Sequence, residues 1–243
     1  ARLPLAVSLR EGRVNFSSID YETHKIQPGL LAPPIVVGAI ANRARGNKLL
    51  PKAGGTGIAE MRRILLSDEV ACGANIAYDF GCAVVEDPTL LPLVFAKYER
   101  GQVWDVSIAL MLHLIALGCC QEGELLDPRT GSKMKDPKTG KQTNRISLSL
   151  CVDFCLGRTD AKKNDRFRTS FALLENIPID QWPEDARQYP VDDVVNGLEV
   201  AEWQDCPGCP KCAPNDGLVL RRGSWRPTRA HEYIFQLAKS PDY

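Results

Sequence analysis

The stretch Ser17-Ser18-Ile19-Asp20-Tyr21-Glu22-Thr23 decides how the chain is read. Val14 to Glu22 is predicted as a β-strand, and its end carries two carboxylates one residue apart. Side chains alternate along a strand, so Asp20 and Glu22 project from the same face. Two same-side carboxylates at a strand end suit a cation, and a hard divalent metal is the usual occupant. Taken alone, such a pair is also what a solvated loop start looks like. Two further acidic stations shift the balance.

The second station is Gly73-Ala74-Asn75-Ile76-Ala77-Tyr78-Asp79-Phe80, and the third is Tyr189-Pro190-Val191-Asp192-Asp193. Asn75 and Asp79 are four residues apart, as are Tyr189 and Asp193, so each pair shares a face if its segment is helical. Pro190 predicts a kink, or a helix that restarts just after Tyr189. In order, the stations read D-x-E, N-x-x-x-D-F and Y-x-x-x-D. This set resembles the three motifs of the DEDD (DnaQ-like) 3′→5′ exonuclease superfamily, in the tyrosine-bearing branch that includes proofreading domains of DNA polymerases. Gly157-Arg158-Thr159-Asp160-Ala161-Lys162 and the run from Trp182 to Val200 are similar to exonuclease regions of phage DNA polymerases.

The resemblance covers roughly residues 13–200. It implies an α/β, RNase H-like fold: a mixed central sheet of about five strands flanked by helices. It implies two divalent ions, Mg²⁺ or Mn²⁺, held by Asp20, Glu22, Asp79 and Asp193. Asp20 would bridge both ions, Glu22 and Asp193 would hold the one that activates water, and Asp79 would support the other. Tyr189 would orient the water. Thr23, Asn75, Phe80, Lys162 and Lys163 would meet the substrate, a single-stranded or frayed DNA 3′ end, with Phe80 and Phe16 stacking on bases. The chain reads as a stand-alone enzyme, with a DNA polymerase as a candidate partner, and RNA remains open as a substrate. The alternative is a non-catalytic DNA-binding module detached from its polymerase.

The rest of the chain is consistent with that frame. Val14–Glu22, Ile35–Ile40 and Lys48–Leu50 predict an antiparallel meander. Gly54-Gly55-Thr56-Gly57 leads into a helix with Thr56 as its N-cap. It lacks the Lys-Ser/Thr of a phosphate loop. Val70–Gly73 predicts a short buried strand. Leu91–Tyr98 predicts a helix, and Val103–Val106 a strand that runs into an apolar helix, Ser107–Leu117. The resembled family carries a similar Asp at that junction without using it as a metal ligand, so Asp105 reads as a cap or as a support behind the ligands, and His113 reads as a core or edge histidine. Ser147–Leu156 and Glu184–Glu199 predict two more helices.

Residues 119–145 read as a basic, turn-rich insertion. Asp127-Pro128-Arg129-Thr130-Gly131 and Asp136-Pro137-Lys138-Thr139-Gly140 form a short internal repeat. Its turn chemistry is explicit: Asp bonds the following backbone, Pro presets φ, and Gly takes positive φ. Arg129, Lys133, Lys135, Lys138, Lys141 and Arg145 make it single-signed. It is therefore either a solvated excursion or a contact for substrate phosphates.

From about Ala201 the text changes. Residues 201–243 resemble an internal fragment of amino-methylating (N4/N6) DNA methyltransferases but lack the motifs for the target amine and for S-adenosylmethionine, so no methyl transfer is expected. Cys206, Cys209 and Cys212 have zinc-ligand spacing. Structural zinc usually takes four ligands and the one further local candidate is His231, so free thiols are the favoured reading.

Composition sets outer bounds. The 243 residues carry 30 basic and 30 acidic side chains, and 44% are hydrophobic, an ordinary globular balance. No run reaches the ~18 apolar residues of a membrane span. No signal peptide is evident, and nine scattered cysteines fit reduced thiols. A cytoplasmic setting is expected.

Overall fold

β1 (Phe16–Thr23) is the middle strand of a five-stranded sheet, and every other layer is arranged about it. The computed structural model describes residues 14–52, 54–121, 123–158, 167 and 170–205, all within the compact unit Arg10–Asp205. β2 (Ile35–Asn42) and β3 (Gly46–Pro51) continue from β1 as the antiparallel meander read from their β-branched runs. On the other side, β4 (Val70–Gly73) and β5 (Val103–Asp105) pair parallel. The order is β3-β2-β1-β4-β5, with β2 alone running against the rest. That mixed sheet, flanked by helices, is consistent with an RNase H-like fold.

Strand alternation sorts the two faces. Ile19 and Tyr21 join Ile40 and Ala71 in a core with α1 (Thr56–Leu66), α2 (Ile76–Glu86) and α3 (Leu91–Glu99). Phe16, Ala39, Ala41 and Cys72 face the opposite core with α4 (Val106–Ala116), α5 (Leu148–Leu156) and α6 (Glu184–Gln204). Asp20 and Glu22 share parity with Phe16 and therefore stand on the α6 side.

The approach of α6 to β1 depends on one glycine. A Cβ at Gly197 would lie 2.7 Å from the Ser18 hydroxyl, and Ser18 is itself buried. With hydrogen there instead, the helix backbone rests on the strand. Across the sheet, Gly38 plays the corresponding part for Tyr21, whose ring would meet a Cβ at 2.8 Å and whose hydroxyl donates to the Gly57 carbonyl at 3.0 Å.

Two local expectations are corrected. Gly55, in the left-handed region at φ 67°, takes the N-cap of α1. Thr56 is instead the first helical residue, and its hydroxyl donates back to Pro51 at 2.6 Å. Pro190 does not restart the last helix: α6 runs unbroken from Glu184 to Gln204, through the change of text at Ala201. Pro190 lacks only one donor and lies in the second turn, and burial of Tyr189, Pro190 and Val194 against the sheet holds the helix across it.

Lys97 of α3 is fully buried, and its ammonium donates to the Ser67 carbonyl at 2.6 Å. Burial, and then the charge of Arg100, push its pKa down to about 8. The unfolded chain therefore binds more protons than the native one between about pH 8 and ~10.4, so stability from this group rises with pH across that window.

Gly197→Ala should cost about 1–3 kcal/mol of stability, and adding Ser18→Ala should recover part of it. Urea unfolding of the double-mutant cycle reads this directly, and simple additivity would contradict it. Wild-type stability should also rise relative to Lys97→Met between about pH 8 and ~10, as measured by chemical denaturation at stepped pH.

Candidate metal centre

The end of β1 is where the sheet opens. β4 pairs with β1 only as far as Ser18↔Cys72, and the chain then turns away through Gly73. A Cβ at Gly73 would lie 3.1 Å from the Ile19 carbonyl, so this turn needs a residue without one. The departure leaves the Tyr21 amide without a strand partner on that side. The Asp79 carboxylate takes it, with Oδ1 accepting from Tyr21 N–H at 2.9 Å. A backbone donor that must be satisfied thus fixes a buried carboxylate beside Asp20.

α2 reaches this position from an unusual start. Asn75 occupies the left-handed region at φ 61°, the sole non-glycine to do so among the described residues. Asparagine tolerates that conformation better than most residues. Asn75 therefore precedes the helix as its N-cap rather than sharing a helical face with Asp79, which corrects the expected i,i+4 pairing. Its exposed side chain lines the cavity described below.

Asp105 holds two helices at once. Its Oδ1 accepts from Ser107 and Ile108 N–H at the start of α4, at 2.9 and 3.1 Å. Its Oδ2 accepts from Ile76 N–H, the first residue of α2, at 3.1 Å. Of the two roles read from the sequence, the structure shows the cap, and it extends to a second helix.

From the opposite side, α6 brings Asp193. Oxygens of Asp20, Glu22 and Asp193 all lie within 4.8 Å of one another. Tyr189 stands one turn earlier on the same helix, with its ring 6.0 Å from Phe171. Asn196, one turn later, accepts from Arg158 at 2.9 Å. All three α6 side chains line an open cavity of about 1100 Å³, together with Asp20, Glu22 and Asn75. Thr23 and Tyr78 also line it, their hydroxyls 2.8 Å apart. The strand register shifts between Glu22 and Thr23, an irregularity of the kind often found beside functional sites.

Not every expected residue arrives. Phe80 is 3% exposed and packs edge-on against Tyr98 at 5.9 Å, and Phe16 is 2% exposed against Trp104. Both rings belong to the hydrophobic cores, so the expectation that they stack on bases is corrected. Asp192, which the helical period turns away from Asp193, accepts from Gln188 at 2.8 Å. His113 is at an exposed edge beside Phe154. Lys162, Lys163, Cys206, Cys209, Cys212 and His231 lie outside the described residues. Tyr78 and Asn196 are cavity residues that sequence reasoning misses. Asn196 carries a signal, because 189, 193 and 196 follow the helical period.

Electrostatics bear on what the site can hold. Burial first, and then the charge of Asp20, push the Asp79 carboxyl well above the usual carboxylate range, against the pull of the Tyr21 amide. Carboxylates this close repel one another unless a cation lies among them. Their hard oxygens suit Mg²⁺ or Mn²⁺. The donor set therefore fits a divalent ion, with Asp20, Glu22 and Asp193 as the group able to hold it.

No family model matches the chain, and no curated protein matches it in sequence.

Asp105→Ala should uncap both α2 and α4 and cost about 1–2 kcal/mol. Asp105→Asn should retain more of the stability than Ala does. Thermal unfolding of the two variants checks this.

Proposed function

We propose that the chain is a metal-dependent 3′→5′ exonuclease that shortens single-stranded or frayed DNA from its 3′ end and releases nucleoside monophosphates. The observation that carries the reading is the convergence of Asp20, Glu22 and Asp193 from β1 and α6 in one cavity. The order of the three motifs, D-x-E, N-x-x-x-D-F and Y-x-x-x-D, adds the reaction class by resemblance. Residues 1–200 are the proposed exonuclease domain, with the basic insertion at 119–145, and 201–243 a non-catalytic addition.

Asp20, Glu22 and Asp193 are assigned to one ion, with Asp79 supporting a second beside Asp20. Divalent ions held there would supply charge neutralisation at the scissile phosphate and a lowered pKa for water. The remaining work falls to the chain. Tyr189 positions the attacking water through its hydroxyl, because a phenol with a pKa near ~10 is a poor base at neutral pH. Asn75 and Thr23, on the cavity wall, are assigned to the terminal nucleotide. Asn196, in the interior of α6, accepts from Arg158, which follows α5.

A 5′-labelled single-stranded oligonucleotide incubated with Mg²⁺ or Mn²⁺ tests the reading. A ladder receding from the 3′ end is expected, absent with EDTA and reduced by at least about a thousandfold in Asp20→Ala. Retention of the strand without cleavage by a folded protein, unchanged in Asp20→Ala, would favour a binding module instead.

A further inference from the structure

The two D-P-x-T-G turns share one backbone and do different work. In each, the Asp side chain accepts from the amide two residues on: Arg129 N–H to Asp127 at 2.9 Å, and Lys138 N–H to Asp136 at 2.7 Å. In each, the glycine amide returns to the Asp carbonyl, at 2.7 and 2.8 Å, and the glycine has positive φ. Met134, between them, is buried in the α4–α6 core and ties the double turn to the domain.

Their side chains part company. Arg129 of the first turn is directed to α5. Its guanidinium donates to Asp127 and to Asp153 of α5 at 2.9 Å, and lies 5.7 Å from the Phe154 ring centroid. Lys133, which follows, is bonded to Glu124. No residue from 127 to 133 lines the cavity. The second turn does, through Asp136 and Lys138, and the segment leaving it adds Thr143 and the exposed Arg145. Thr143 shapes that exit, because its hydroxyl accepts from Arg145 N–H at 3.1 Å. Lys25 stands on the same cavity wall.

The lining of the cavity thus carries the cations Lys25, Lys138 and Arg145 as well as carboxylates. A polyanion reaching the carboxylates must cross repulsion, and cations on the same lining offset it. The volume, about 1100 Å³, exceeds the upper end of the ~300–1,000 Å³ of sites for drug-sized ligands. It therefore has room for more than a terminal nucleotide.

We propose that the repeat is a two-part device: its first turn anchors the insertion on α5, and its second turn, with Arg145, holds backbone phosphates of the single strand whose end lies at the carboxylates. This rests on the exonuclease reading for where the strand ends, but its test reads binding alone. Fluorescence anisotropy of a labelled oligothymidylate in Ca²⁺, at stepped salt, gives the affinity and the number of phosphates neutralised. Lys138→Gln and Arg145→Gln should each weaken binding several-fold and lower the slope of log K against log salt by ~0.7 for every phosphate ion pair removed. Lys138→Arg should restore the slope. Arg129→Gln should lower the melting temperature and leave the slope as in wild type.

Wild-type protein that does not bind the strand, or unchanged slopes in both Lys138→Gln and Arg145→Gln, would overturn the proposal. So would an equal fall in slope in Arg129→Gln. Strand binding with these slopes but no shortening of the 3′ end in Mg²⁺ or Mn²⁺ would support the two-part device and count against the exonuclease reading alone.

Discussion

The contact on which the site depends is the bare approach of α6 to β1 at Gly197 and Ser18. It matters because it sets the distance between two elements that each carry part of one acidic group. Asp193 lies one helical turn before Gly197, and Asp20 two residues beyond Ser18. A shift of the helix by the width of a methyl group is therefore felt at the carboxylates. Close packing in protein interiors gives little room to absorb it elsewhere.

The remaining acidic residues are placed by backbone demands. Asp79 sits where it does because the Tyr21 amide has no strand partner once β4 turns away. Asp105 sits where it does because two helices begin at the end of the parallel strands and both need acceptors. The carboxyl ends of parallel strands commonly gather such sites, because helix starts and loop turns meet there. In this chain, one carboxylate satisfies the sheet, one the helices, and three stand close enough together to hold one ion.

Much of this is legible in the sequence, and the legible parts share a reason. Asp20 and Glu22 follow from the period of two, and Tyr189 and Asp193 from a spacing of four, because local geometry alone fixes which side chains share a face. Strand order is partly legible, since the three-residue turn between β2 and β3 forces those two strands into a hairpin. The left-handed Asn75 is not, because Asn-Ile-Ala-Tyr-Asp reads as helix until the turn out of β4 is known. Phe80 misleads for a similar reason: its neighbour Asp79 faces the β1 edge, which sends the ring into the core. The unlike fates of Arg129 and Lys138 lie beyond any local reading. Identical turn chemistry predicts identical turns, and only α5 on one side and the cavity on the other separate them.

The central claim is that β1 and α6 jointly present a divalent-ion site. Isothermal titration calorimetry with Mn²⁺ on the folded protein tests it without reference to any substrate. The account predicts saturable binding that is abolished in Asp20→Asn and strongly weakened in Asp193→Asn, with circular dichroism unchanged in both. A wild-type protein that is folded and takes up no Mn²⁺, or binding indifferent to Asp193, would contradict it.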